Sequence, residues 1–317
     1  MIVWRKRFER AWGERLDPTL RGSQGEMNRE RLQGVMDRVA QSETIVLSDV
    51  APGTGAHEML SSLPTTKFLR VDTGPTEGEP FDLRMGAWYT GEKLVDPHLL
   101  VYDVGAWPGG LGSQVPGGLT LVMPSPETDL SFLTPLVQPF EDQLKSLEFR
   151  GLVNIGLGRD PMTGGLRLAQ LRAGWPLLHL DAWLSSTEKV GRVLAGEASP
   201  CPTAKYTVVV PVSIPPWPNP QGAAQVVKID GLPPQLQQWN FFYDVDPHED
   251  TQELWTAGLD GLVCVTRGEG SQFETARLHA LGIAQQIQMP EKGYRPDVGL
   301  RVPVVLAQLE RLFGLVL

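Results

Sequence analysis

Seven prolines between Pro200 and Pro220 constrain this chain more than any other feature. Proline fixes φ, lacks an N–H and clashes with the preceding helical turn, so no regular helix passes through such a tract. A strand that tolerates it lies at an edge or gives up part of its ladder. The tract therefore marks a domain boundary or an irregular edge strand, and it divides the 317 residues into two unequal parts.

Upstream, short apolar runs alternate with glycine-rich turns. Thr44-Ile45-Val46-Leu47 ends at Asp49 and a Pro-Gly turn, residues 81–103 read as strands broken at Thr90-Gly91, and Gly105 to Gly118 forms a loop. Residues 151–158 and 166–171 read as two strands joined by the turn 160–165. Helices are expected over 128–147 and over 177–195, the latter stopping at Gly196. Downstream come strands at 206–214, 225–229, 239–245 and 261–266, then a helix over about 271–288. Gly268-Glu269-Gly270 reads as the cap of that helix. The segment 302–317 is apolar and helical in pattern, so it must be buried in this chain or against another.

Residues 1–44 stand apart. Trp4, Phe8 and Trp12 recur every four residues and share one helical face, with Arg5, Lys6, Arg7, Arg10 and Arg15 on the others. Such a helix docks on its own domain or anchors to a partner chain. A second helix is expected over 27–41.

Composition narrows the class. At 41% hydrophobic and 21% charged this is an ordinary soluble globular chain, and a net charge of -9 gives no general attraction to nucleic acid or to an anionic membrane. Cys201 and Cys264 cannot make a disulfide framework, and no Cys/His cluster has zinc spacing. No apolar stretch follows the basic N-terminal residues, so a cytoplasmic protein, or one built into an assembly there, is expected. The five histidines are scattered, and the acidic loop 244–250 lacks the glycine and alternating ligands of a calcium loop.

Gly261-Leu-Val-Cys-Val-Thr266, a helix containing Glu274, Ala276 and Arg277, and then Tyr294-Arg-Pro-Asp-Val-Gly299 follow in order. This succession resembles the last domain of the glycinamide ribonucleotide synthetase family of ATP-grasp ligases, where a "GRVLCVTALG" strand leads to an "R-x-D-I-G" motif. Earlier matches are collinear. Gly231-Leu232-Pro233 resembles the family's "GLP" turn, Gly151 to Leu157 its "GxLYAGLM" strand, and Gly109-Gly110-Leu111-Gly112 its "GGMG" loop. Asp49, Gly53 and Gly55 resemble the skeleton of "KADGLAAGKG". The resemblance runs from about residue 45 to 300 and leaves the family's N-terminal domain without a counterpart.

The resemblance implies an α+β fold. An ATP-grasp-like, two-lobed α/β domain over 45–198 follows the helical arm 1–44, and a small β-rich C-terminal domain occupies 199–317. It also implies where ATP and magnesium would bind, and there the chemistry departs. The first family lysine becomes Leu47 and the second Thr54. The metal strand "EFNxRFGDPE" becomes Leu168-Ala-Gln170-Leu-Arg172-Ala-Gly174-Trp-Pro176, and no Asp or Glu occurs from 161 through 180. Magnesium needs oxygen ligands that Leu168 cannot supply.

The expectation is a pseudoenzyme with no catalytic residue, no metal and no cofactor. It serves a structural, scaffolding or regulatory role in a larger assembly such as a virion or enzyme complex. The vestigial nucleotide site comprises Asp49, Gly53, Thr54 and Gly55, and the vestigial substrate-phosphate site comprises Gly110 and Arg172. A protein partner or second copy is expected at residues 1–20 or 302–317, with no nucleic acid and no membrane. The alternative is an ATP- and magnesium-dependent carboxylate–amine ligase.

Overall fold

The computed structural model describes residues 44–47, 68–72, 83–113, 115–124, 141, 144–145, 149–159, 166–174, 177–195, 198–219, 222–247 and 253–313. The expected helices at 1–44 and most of 128–147, the positions Asp49, Gly53, Thr54 and Gly55, the turn 160–165 and residues 248–250 and 314–317 lie outside them.

Thirteen strands are described: β1 (Thr44–Leu47), β2 (Phe68–Asp72), β3 (Leu83–Tyr89), β4 (Leu94–Val104), β5 (Pro116–Val122), β6 (Gly151–Arg159), β7 (Leu166–Gly174), β8 (Tyr206–Ser213), β9 (Lys228–Ile229), β10 (Asn240–Phe242), β11 (Val245–Pro247), β12 (Leu254–Thr256) and β13 (Leu262–Gly270). Ten of them form one sheet in the order β1-β2-β7-β6-β3-β4-β5-β8-β13-β10, and β11-β12-β9 form a second, smaller sheet. Only β1 and β2 pair in parallel; every other neighbour is antiparallel. The helices are α1 (Leu177–Ser186), α2 (Val190–Ala195), α3 (Pro234–Gln237), α4 (Phe273–Gln286) and α5 (Val302–Phe313).

Local chemistry accounts for these elements. The β3–β4 hairpin turns where Thr90 Oγ1 accepts hydrogen bonds from the Glu92 and Lys93 N–H groups. β8 reads as a nearly unbroken apolar run, YTVVVPVS, because both of its faces are covered. On one face α1 lays Leu178, Leu180, Ala182 and Trp183 over Trp88, Leu100, Leu119, Leu121 and Val209. The Trp88 and Trp183 rings stack 4.7 Å apart. On the other face α4 packs Ala276 and Ala280 on Val208 and Val210, and α5 packs Val302, Val305 and Leu309 on Leu99, Val101 and Val122.

Three sequence expectations change. The proline tract supplies an interior strand, since β8 lies between β5 and β13. Pairing with β5 ends at Val209, so Pro211 falls beyond it and no β5 bond is lost there. The helix expected over 177–195 is two helices. The chain between them bonds residues 201–203 instead, with Glu188 N–H donating to Cys201 O and Thr203 N–H to Ser186 O, and Lys189 turns at φ 50°. Gly268 and Gly270 belong to β13 and do not cap α4, whose N-cap is Gln272. A Cβ at Gly268 would lie 2.1 Å from Ala276 O, so glycine there lets the helix press onto the strand.

Candidate functional site

Two motifs that stand far apart in sequence meet at the end of β4. The loop 105–113 contains a short 3₁₀ turn, Pro108–Gly110, and its backbone is closed on itself. Gly105 N–H donates to Val115 O, Ala106 N–H to Ser113 O, Trp107 N–H to Leu111 O, and Gly110 N–H to Trp107 O. Gly109 N–H leaves the loop and donates to Asp297 Oδ2 at 2.8 Å.

Arg295 completes the clasp. Its Nε and Nη2 fork onto Asp297 Oδ1 and Oδ2 at 3.0 and 2.7 Å, while Nη1 donates to the carbonyls of Val104 and Gly105 at 3.0 and 3.1 Å. Gly299 N–H donates to the buried Asp103 Oδ2 at 2.7 Å. Burial works to raise the Asp297 pKa, but the bonds from Arg295 and Gly109 outweigh it and hold the carboxyl below its ordinary value. Asp103 moves the other way, raised by burial against the pull of the Gly299 N–H. Gly110, expected as a vestigial phosphate contact, sits in this loop with its N–H committed to Trp107.

The second cluster lies beneath α1. Register places Asn154 of β6 and His98 of β4 on either side of Gly86 in β3. His98 and His179 of α1 are both fully buried, and their Nε2 atoms are 2.7 Å apart. His98 Nδ1 lies 2.7 Å from Asp96 O. A carbonyl only accepts, so His98 carries its proton on Nδ1 and its Nε2 accepts. His179 must then donate from Nε2, which leaves its Nδ1 as a buried lone pair without a partner among the described residues. Asn154 Nδ2 donates to Tyr102 Oη at 2.9 Å, and the Arg84 guanidinium lies 4.9 Å from the centre of the Tyr102 ring. Asn154 Oδ1 is a second buried acceptor without a donor among the described residues.

Burial lowers the His98 pKa to about 4. It lowers that of His179 well below the ordinary value, helped by His98 and by the charge of Arg84. Both rings are therefore neutral at pH 7. Asp96 is pushed up to about 6 by burial, although Trp183 Nε1 donates to its Oδ2 at 2.9 Å.

No protein-family model matches this chain, and no curated protein matches it. Among solved structures it is similar to phosphoribosylamine–glycine ligase from Thermotoga maritima, with a TM-score of 0.51 and 15% identity over 85% of this chain and 78% of that one. It is also similar to the K. lactis urea amidolyase (TM-score 0.44, 8% identity, 74% of this chain and 14% of that one). The biotin carboxylase domain of a single-chain bacterial carboxylase gives a TM-score of 0.40 and 14% identity over 73% of this chain and 58% of that one. The first of these likenesses, together with the mixed sheet and its covering helices, decides the architecture. The fold is ATP-grasp.

An ATP-grasp fold implies magnesium and ATP, and the donor set can be tested against them. β7 pairs antiparallel with β6 and β2, and Arg172 stands between Asn154 and Arg70, with Gln170 beside Asp72. At the strand positions where the resemblance puts metal ligands, β7 offers Leu168 and Gln170. A hydrocarbon and an amide do not form a magnesium site. Among the described residues no group of three His, Cys, Asp or Glu side chains converges. Among the described residues, the two at these strand positions do not fit the metal.

The histidine pair escaped the sequence reading because its members are 81 residues apart. The available signal was polarity out of place. His179 interrupts the apolar run Leu177-Leu178-His179-Leu180, and His98 shares an alternating face with Leu100 and Tyr102.

Proposed function

We propose that this chain is a non-catalytic relative of glycinamide ribonucleotide synthetase whose ATP-grasp fold serves a structural, scaffolding or regulatory role in a larger assembly. The observation that carries the reading is β7. It lies in register between β2 and β6, and in the resemblance it is the metal strand, with Leu168 where the family has a glutamate and Gln170 where it has an asparagine. Leu47 at the end of β1 replaces a lysine in the same reading. Asp49, Gly53, Thr54 and Gly55 are then remnants of a nucleotide loop, and Arg172 and Gly110 remnants of a substrate-phosphate site. Association through residues 1–20 or the 302–317 segment fits the role. On and beside α5, Val304 and Leu300 leave about 60% of their surface exposed.

A second reading, an ATP-dependent carboxylate–amine ligase using magnesium, draws on one feature. β2 sets Asp72 opposite Gln170, which brings a carboxylate residue to the neighbouring strand position. Thermal shift with Mg-ATP separates the two. No saturable shift up to millimolar nucleotide is expected. A shift saturating at micromolar ATP, or ATP hydrolysis lost in Arg172→Ala, would overturn the non-catalytic reading. Light scattering of the full chain and of a form lacking residues 1–20 tests assembly, and a strict monomer in both counts against the scaffold.

A further inference from the structure

We propose that the His98–His179 pair is an acid-operated latch that holds α1 on the sheet at neutral pH and releases it in acid. The geometry sets the mechanism. The two Nε2 atoms meet at 2.7 Å over Gly86, where a Cβ would lie 2.2 Å from one and 2.6 Å from the other. The bond exists only while one Nε2 donates and the other accepts. The first added proton can enter only at His179 Nδ1, the lone pair left over. There it finds no acceptor among the described residues, and it meets the positive charge of Arg84 on β3. A second proton on His98 Nε2 sets two N–H groups against each other and breaks the bond.

The other charged and titratable groups around the pair fix the size of the response. On β4, Asp96 Oδ2 is 3.9 Å from His98 Nδ1 and is covered by Trp183 of α1. On α1 itself, Asp181 accepts a hydrogen bond from Tyr243 Oη at 2.5 Å. Arg84 faces the pair from β3, and Asn154 of β6 is uncharged. When α1 lifts, both histidines become free to take up a proton near their ordinary pKa of 6.5. Asp96, pushed up to about 6 in the closed form, releases one as it returns toward 3.8. Between pH 6 and 4 the opening therefore takes up about one net proton, so it becomes about tenfold more favourable per pH unit. Lifting α1 separates the stacked Trp88 and Trp183 rings and uncovers Leu100 and Leu121.

Hydrogen exchange of the 177–186 backbone, read as protection factors from pH 7 to 4 in the full chain, tests this. Protection is expected to fall about tenfold per unit below pH 6, with tryptophan fluorescence changing in parallel. In His179→Gln the side-chain amide still donates to His98 but does not titrate. His98 and Asp96 then offset each other, and the slope is expected to vanish. In Asp96→Asn the opposing proton is gone, and the slope is expected to steepen to about a hundredfold per unit. Flat protection in the wild type, an unchanged slope in His179→Gln or no steepening in Asp96→Asn would each overturn the latch. Nitrogen-15 correlation spectra of the wild type provide a readout that does not depend on the variants folding. They are expected to place the protons on His98 Nδ1 and His179 Nε2, and the opposite tautomers, or titration of either ring near 6.5, would refute it.

Discussion

Arg295→Met removes the guanidinium while keeping an unbranched apolar side chain over Gly117, whose Cα carries hydrogen where a Cβ would lie 2.5 Å from Arg295 Cδ. Two losses follow. The fork onto Asp297 disappears, and with the arginine side chain 5% exposed and the aspartate 25% exposed the pair is largely but not wholly desolvated. Breaking a buried pair from one side costs about 3–5 kcal/mol, and the partial exposure of Asp297 places this one near about 3. The carbonyls of Val104 and Gly105 lose their Nη1 donor, for about 1 kcal/mol more. The total is about 4 kcal/mol. At a urea slope of about 3 kcal/mol/M the unfolding midpoint drops by about 1.3 M.

Urea titration followed by circular dichroism measures this directly. Arg295→Lys is expected to lose about half as much, because an ammonium reaches one oxygen and cannot fork. The cycle with Asp297→Asn should give a coupling of about 2 kcal/mol. A loss below about 1 kcal/mol in Arg295→Met would refute the clasp as the element that joins the glycine loop to the C-terminal segment. Acid offers an independent check of sign. Asp297 is depressed in the folded chain, so its contribution is full above about pH 3.9 and is lost as pH falls below that value.

Further outcomes follow from single sites. Gly86→Ala drives a methyl group into both imidazoles, and the overpacking and the broken buried bond together are expected to cost about 4 kcal/mol by denaturant titration. Asp244→Ala leaves the backbone N–H groups of Leu259 and Gly261 without the carboxylate that holds them at 2.9 Å, which predicts a loss of about 3 kcal/mol in the same assay. Cys264 is buried and its thiol pushed up by burial, whereas Cys201 is exposed. A disulfide reagent at pH 8 should therefore label one thiol in the native chain and two in denaturant.

Strands with a regular face pattern were legible from sequence. β3, β4, β6, β7 and β13 stand close to where their alternation and flanking turns put them. What periodicity cannot express is which strands become neighbours. β8 was readable as a strand but not as the interior strand through which β5 joins β13, because that depends on Pro211 falling just past the last residue paired with β5. The break between α1 and α2 was hidden for a similar reason. No glycine or proline interrupts residues 177–190, and the competing partner is a segment around Cys201 that no local window contains. The clasp was half legible: Arg295, Asp297 and Gly299 read as a tight turn, whereas their bonds to the loop span about 190 residues.

The matches that carried the resemblance are mostly glycines, and the structure explains why these report the backbone path more faithfully than the reaction. Gly231 has φ of 81°, and a Cβ on it would lie 1.9 Å from Gln286 O; one on Gly261, also at φ 81°, would lie 2.3 Å from Ile214 O. Both positions are constrained by neighbouring main chain, which any sequence with this backbone path must accommodate whatever it binds. Leu47, Leu168 and Gln170 stand in strands whose ladders depend on backbone groups, so a lysine or carboxylate there can be exchanged without disturbing the register. Glycine turns and metal ligands are thus under separate physical constraints. A chain can keep the first and change the second, so the retained glycines report the fold, and it is the Mg-ATP titration that separates the two readings of its function.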